Sequence, residues 1–282
     1  MLTKKSFAKI NLYLEIVGRT TNGYHLLDSL MAMIDIFDLI TIEKHHKLEL
    51  VVKGSGSESL QVDWQENIII KAVNLLATKY HFTPTIKITL EKNIPIAAGL
   101  GGGSSNAATV LLMLNQFYDL NLSKRELLDL GLKLGADVPF FINGKNAFVS
   151  GIGEVLRDVN FNFKNTHLLI VNPRQALSTK QIYEGFAGEF TAREASESVD
   201  VVESIKYRHN DLQKPAIKIM PKIVDILQEI ANQKNCSINR MSGSGATCFG
   251  IFKSENDLDF AHQNLRNIFP NFYIEKAKIN NS

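Results

Sequence analysis

The sequence predicts an α+β chain: a mixed N-terminal region of strands and helices, then an α/β sandwich whose antiparallel sheet is covered on one face. Three observations lead there. Residues 8–16 alternate apolar and polar, the period of a strand. An extended segment, 85–90, passes through a glycine-rich loop into an apolar stretch of helical length. From 221 to 277 the pattern reads helix, strand, strand, helix, strand.

Composition narrows the classes. The 282 residues suit one large domain or two ordinary ones, and we expect two, 1–160 and 161–282. A net charge of +2 gives no argument for a nucleic-acid or membrane partner. Cys236 and Cys248 form no C-x-x-C, and the seven histidines have no ligand spacing, so no zinc site or other His/Cys-held metal is expected. The start, M-L-T-K-K-S-F-A-K, lacks a signal-peptide core, and no apolar run reaches the roughly 18 residues of a membrane span. The expectation is a cytoplasmic protein, a monomer or weak homodimer.

In chain order, the first strand puts Ala8, Ile10, Leu12, Leu14 and Ile16 on one face and Lys9, Asn11, Tyr13 and Glu15 on the other. Lys9 and Asn11 are same-face neighbours about 6.5–7 Å apart. They can serve one small ligand, but the pattern alone favours a solvated face. Asn22-Gly23 marks a hairpin turn. Tyr24 and His25 follow it, and two readings stay open: capping the core edge, or stacking on a planar ring. Residues 30–43 and 47–52 read as strands, and Gly54–Ser59 as a flexible loop. Asn67 can cap an amphipathic helix that runs to Tyr80.

The stretch 94–108, I-P-I-A-A-G-L-G-G-G-S-S-N-A-A, carries Gly99, Gly101, Gly102 and Gly103 and opens an apolar helix over 104–118. Glycines let backbone N–H groups approach a ligand, and a helix N-terminus adds donors and partial positive charge. The reading is an anion cradle, most often for phosphate. No Lys-Ser/Thr follows, so it is not a P-loop, and the third glycine of a dinucleotide fingerprint would fall at Ser104.

Ser123 with Glu126 predicts a capping box for a helix that ends near Gly135, a C′ residue. In A-D-V-P-F-F, Pro139 predicts a bend, and Asp137 is either a turn former or a functional carboxylate needing a partner. Strands follow around 147–159 and 168–171, a short helix over 178–186, and a surface segment over 187–202. The last third carries a helix over 221–233, strands at 237–241 and 247–252 joined by S-G-S-G-A, a helix over 255–268 and a strand over 272–277.

F-A-K-I-N-L-Y-L (7–14), the glycine stretch 94–108 and M-S-G-S-G-A-T (241–247), in this order, resemble the GHMP kinases, the family of galactokinase, homoserine kinase and mevalonate kinase. The resemblance implies the two-domain GHMP kinase fold, with an N-terminal mixed α/β domain and a C-terminal ferredoxin-like α/β sandwich. It implies ATP-dependent phosphorylation of a hydroxyl. G-R-T-T-N-G-Y-H (18–25) and L-G-A-D-V-P-F-F (134–141) imply that the acceptor is a cytidine diphosphate sugar alcohol. By the same resemblance Asp137 is the general base and Lys9 its cationic neighbour. Asn11 binds the hydroxyl region, and Tyr24, His25 and Tyr183 hold the cytosine. Gly99, Leu100, Gly101, Gly102, Gly103, Ser104 and Ser105 cradle the ATP phosphates. Asn67, Lys92 and Pro95 lie on the nucleotide side, while Gly243, Ser244 and Gly245 close the acceptor side. Ala97 and Ala98 stand where some members carry glycine, and no counterpart of the acidic magnesium ligand of several members stands out. Mg2+ is expected to arrive with ATP and be held by Ser104 or Ser105 and water.

Overall fold

The computed structural model describes residues 1–54, 64–159, 163, 166–192 and 201–280. The boundary expected near residue 160, most of the 54–59 loop and much of the 187–202 segment lie outside the described residues. The chain forms two compact units. The first comprises Met1–Ala8, Ile36–Ile96 and Gly101–Gly144; the second comprises Lys9–Asp35, Ala97–Leu100 and Lys145–Ser282. Strands β1 (Leu2–Arg19) and β2 (His25–Lys44) each contribute residues to both.

In the first unit, the end of β2 pairs antiparallel with β4 (Ile86–Lys92), Leu39 opposite Glu91 and Lys44 opposite Ile86. Strand β3 (Glu49–Gly54) pairs with β4 in parallel. A parallel neighbour needs a crossover, supplied by helix α1 (Ile68–Tyr80). Asn67 caps α1 by accepting from the Ile69 N–H at 3.0 Å. Helix α2 (Gly102–Phe117) is buried nearly all round, as its apolar sequence requires, and packs on α1. Helix α3 (Lys124–Leu134) opens on the expected Ser123–Glu126 capping box. Its C-cap Gly135 has φ 168°, extended rather than left-handed, so this glycine is not needed for a left-handed stop.

Residues 138–143 correct the expected bend. They form a short helix, α4 (Val138–Asn143), with Pro139 in its first turn. Proline costs nothing there because an N–H at that position has no intrahelical acceptor. Helices α3 and α4 meet closely: a Cβ at Gly131 would lie 2.5 Å from Ile142 Cδ1.

In the second unit, β1 turns back into β2 at 20–24, where the Gly23 N–H donates to Thr20 O and Gly23 has φ 90°. β5 (Ala147–Gly151) pairs antiparallel with the start of β2, and β6 (Val155–Asp158) with β5. A separate antiparallel sheet has the order β10–β7–β9–β8, from β7 (His167–Asn172), β8 (Cys236–Met241), β9 (Cys248–Phe252) and β10 (Tyr273–Lys278). Helix α5 (Thr179–Glu184) follows β7; α6 (Val201–Ile205), α7 (Gln213–Ile219) and α8 (Lys222–Ala231) precede β8; α9 (Glu255–Ile268) precedes β10. α8 packs on β8 and β9, and α9 on β7 and β10. With β7, α8, β8, β9, α9 and β10 in succession, this is the expected ferredoxin-like sandwich. Both cysteines are free thiols, and burial pushes Cys236 up to about 11.

Candidate active site

Strand β1 does not have the solvated polar face that alternation favoured. Lys9, Asn11, Tyr13 and Glu15 are 3%, 0%, 3% and 2% exposed. Partners distant in sequence make this burial tolerable. Asn11 Oδ1 accepts a hydrogen bond from Lys9 Nζ, Asn11 Nδ2 donates to Ser29 Oγ at 2.8 Å, and Ser29 Oγ donates to Tyr13 O at 2.6 Å. Tyr13 OH donates to Asp28 at 2.9 Å. Arg208 reaches Glu15 at 2.7 Å and Asp28 at 2.8 Å, with its guanidinium carbon 4.1 Å from the Tyr13 ring centroid. The Lys9–Asn11 and Asn11–Ser29 hydrogen bonds leave Lys9 and Asn11 fixed relative to each other.

The turn 242–246 is built against this strand. Ser242 Oγ accepts from the Asn11 N–H at 3.1 Å and donates to Gly99 O at 3.0 Å. Asn210 Nδ2 donates to Met241 O at 2.7 Å and Gly243 O at 2.8 Å. A Cβ at Gly243 would stand 3.3 Å from Lys9 Nζ and 3.4 Å from Asn11 Oδ1. A Cβ at Gly99, where φ is 74°, would stand 2.2 Å from Ser242 O. Gly99 is therefore required by the protein's own packing.

Ser244 Oγ bonds Thr179 Oγ1 at 2.9 Å, linking the turn to the start of α5, which carries Tyr183. The Tyr183 ring lies 5.4 Å from the His25 ring, with Phe186 edge-on to His25 at 5.8 Å. His25 Nε2 is 2.8 Å from Arg19 Nη2. Burial, and then the Arg19 charge, hold the imidazole below its ordinary pKa. Tyr24 is 60% exposed, beside the turn.

In the first unit, Gly101 (φ 68°) is the N-cap of α2, and the Ser105 N–H donates back to Gly101 O. Helix geometry leaves the N–H groups of Gly102, Gly103 and Ser104 without intrahelical acceptors. Gly103 is exposed, and a Cβ there would meet only Ile68 Cγ2 at 3.8 Å. The Ser105 hydroxyl is buried and accepts from Ser6 Oγ at 2.8 Å, whereas Ser104 is half-buried.

Asp38, fully buried, underlies the start of the loop. Its Oδ1 accepts from the Asn93 and Ile94 N–H groups, both at 2.8 Å. Its Oδ2 accepts from Lys92 Nζ at 2.5 Å and Asn106 Nδ2 at 2.9 Å. Burial lowers the Lys92 pKa, and Asp38 opposes that shift. Asp137 is half-buried at the N-cap position of α4, and its side chain makes no capping bond. Among the described residues no group of three or more His, Cys, Asp or Glu can hold a metal ion, and no helix is long and apolar enough to cross a membrane.

Sequence reasoning missed Asp38 and Asn106 beside the glycine loop of the first unit, and Arg208, Asn210, Ser242 and Phe186 around β1 and His25 in the second. The available signal was polarity out of place: Asp38 interrupts the apolar run I-D-I-F-D-L-I.

An α+β chain with free N–H groups at a glycine-rich helix start and a buried lysine on its first strand has the make-up of a small-molecule kinase. The model for the GHMP kinases N terminal domain matches residues 67–145, that for the GHMP kinases C terminal matches 193–271, and the chain belongs to the GHMP kinase family. It is 39% identical to 4-diphosphocytidyl-2-C-methyl-D-erythritol kinase of Polynucleobacter necessarius, over 95% of this chain and 88% of that one. It is 37% identical to the enzyme of that name from Clostridioides difficile, over 96% and 93%. A crystal structure of 4-(cytidine 5'-diphospho)-2C-methyl-D-erythritol kinase superposes with TM-score 0.79 at 27% identity, covering 99% of this chain and all of that one. Homoserine kinase from Cytophaga hutchinsonii shares the fold, with TM-score 0.70 at 14% identity, covering 99% and 96%.

Proposed function

We propose that this chain is a cytoplasmic enzyme that transfers the γ-phosphoryl group of ATP to the 2-hydroxyl of 4-diphosphocytidyl-2-C-methyl-D-erythritol, in the non-mevalonate route to isoprenoid precursors. The observation that carries the choice of acceptor is the His25–Tyr183 pair. Aromatic rings tied to the 242–246 turn suit a planar pyrimidine, and an acceptor without a base has no use for them. Tyr24, exposed and next to His25 in sequence, is assigned to the same base. The names of the relatives support this reading.

Phosphoryl transfer asks the protein for positioning and charge neutralisation. Asp137 takes the proton of the attacking hydroxyl, and Lys9 counters the charge that develops on that oxygen. Asn11 orients the Lys9 ammonium. The N–H groups of Gly102, Gly103 and Ser104 bind phosphate oxygens, and Asn67 and Pro95 flank the adenosine. The Ser104 hydroxyl, half-buried at the start of α2, would help hold the Mg2+ that accompanies the nucleotide, and that ion would neutralise phosphate charge. Asp137→Asn tests the assignment: turnover is lost while ATP binding survives, and a near-native kcat removes the base.

A further inference from the structure

Asp38 has no part in the chemistry above, yet it is a fully buried carboxylate with four hydrogen-bond donors on it. The donors come from two sources that flank the glycine loop. One oxygen takes the successive N–H groups of Asn93 and Ile94, where the chain leaves β4. The other takes Lys92 Nζ, at the end of β4, and Asn106 Nδ2, in the first turns of α2. Asn106 also donates to Ser6 Oγ at 2.9 Å, and Ser6 donates to Ser105. A Cβ at Gly102 would sit 3.0 Å from Lys92 Nζ, so the ammonium lies directly beneath the first residue of α2.

We propose that Asp38 is a positioning residue for ATP: it ties the strand that enters the glycine loop to the helix that leaves it, and so holds the N–H donors of Gly102, Gly103 and Ser104 in phosphate-binding geometry. Lys92 is part of the device. A lone buried carboxylate beneath a phosphate site repels its ligand, and the paired ammonium cancels that charge. Asn106 supplies the helix end of the tie. This inference rests on the reading of the loop as the ATP phosphate site.

Asp38→Asn changes little volume but replaces one acceptor oxygen with an NH2 group. Whichever way the carboxamide turns, two of the four donors lose their acceptor, and the buried Lys92 charge loses its counterion. The experiment is calorimetric titration of the full chain with ATP and, separately, with CDP as probe of the acceptor side. The expected result is ATP binding weakened at least about tenfold with CDP binding changed less than about twofold. The charge-balanced pair Asp38→Asn with Lys92→Met regains part of the lost ATP affinity. A merely structural role moves both ligands together, and equal weakening overturns the proposal, as does ATP binding that is unchanged. Should Asp38→Asn fail to fold, Asn106→Ala decides, since it removes the helix end of the tie, together with the bond to Ser6, and leaves the Asp38–Lys92 pair in place: ATP binding about fivefold weaker with CDP unchanged supports the proposal, and unchanged ATP binding overturns it. Unmutated protein that binds no ATP overturns the reading of the loop and this inference together. Unmutated protein that binds ATP no better than Asp38→Asn overturns this inference alone.

Discussion

Gly103→Ala separates ligand approach from protein packing at the glycine loop. Gly103 lies in the first turn of α2, is exposed, and does not have a left-handed backbone. A methyl group there meets only Ile68 Cγ2, at an ordinary 3.8 Å, so the free protein accepts it without strain. Alanine loses less backbone entropy in a helix than glycine, a gain of roughly 0.5–1 kcal/mol. The variant is therefore expected to be as stable as the parent or slightly more so, by thermal or urea unfolding. The Cα–Cβ bond of a helical residue tilts toward the helix N-terminus. The added methyl thus projects toward the position assigned to the ATP phosphates. Steric loss of even one charge-assisted phosphate contact costs about 1.5–3 kcal/mol, roughly tenfold or more in ATP affinity. Isothermal calorimetry with ATP reads this directly. A variant that is stable and binds ATP normally refutes the assignment of this helix start to phosphate.

The remaining predictions concern the second unit and the reacting groups. Gly99→Ala is expected to destabilise by roughly 2–5 kcal/mol in urea unfolding, from a left-handed backbone (about 1–2) and a forced repacking of Ser242 (about 1–3); native stability refutes the close approach of the two turns. Lys9→Ala is expected to lower kcat at least tenfold, roughly 1.4 kcal/mol of barrier, in a coupled ADP-release assay, and an unchanged rate removes its role. For His25, whose folded pKa is depressed, the unfolded chain takes up the proton more readily than the fold, so its stability contribution is lost as pH falls below about 6.5. Arg19→Ala removes the nearby charge and should raise the His25 pKa in an NMR titration; a downward shift contradicts the pairing.

Much of the fold was legible because local signals agree with it. The Asn67 cap, the Ser123–Glu126 box, the Asn22-Gly23 turn and the helix–strand order after residue 221 are each set by neighbours in sequence. What stayed hidden depends on distant partners. Alternation in β1 is the same for a solvated polar face and for one sealed by Arg208, Ser29 and Ser242, and only the tertiary fold supplies those residues. Pro139 reads as a break unless the helix is known to begin there. Gly99 and Gly103 look alike in sequence. One is demanded by the carbonyls of Ser242 and Gly245, 143 and 146 positions away in the chain's second glycine turn, and the other faces open space on one side. Asp38 carries a charge in an apolar run, which marks it as unusual but does not name its four donors.

The most direct test of the account is phosphorus NMR of the full chain incubated with ATP, Mg2+ and 4-diphosphocytidyl-2-C-methyl-D-erythritol. The expected result is stoichiometric conversion of ATP to ADP with one new phosphomonoester resonance, coupled to the tertiary carbon that bears the 2-hydroxyl, while the cytidine diphosphate resonances persist. Unconsumed ATP, or a phosphomonoester formed instead on mevalonate or homoserine offered in parallel, contradicts it.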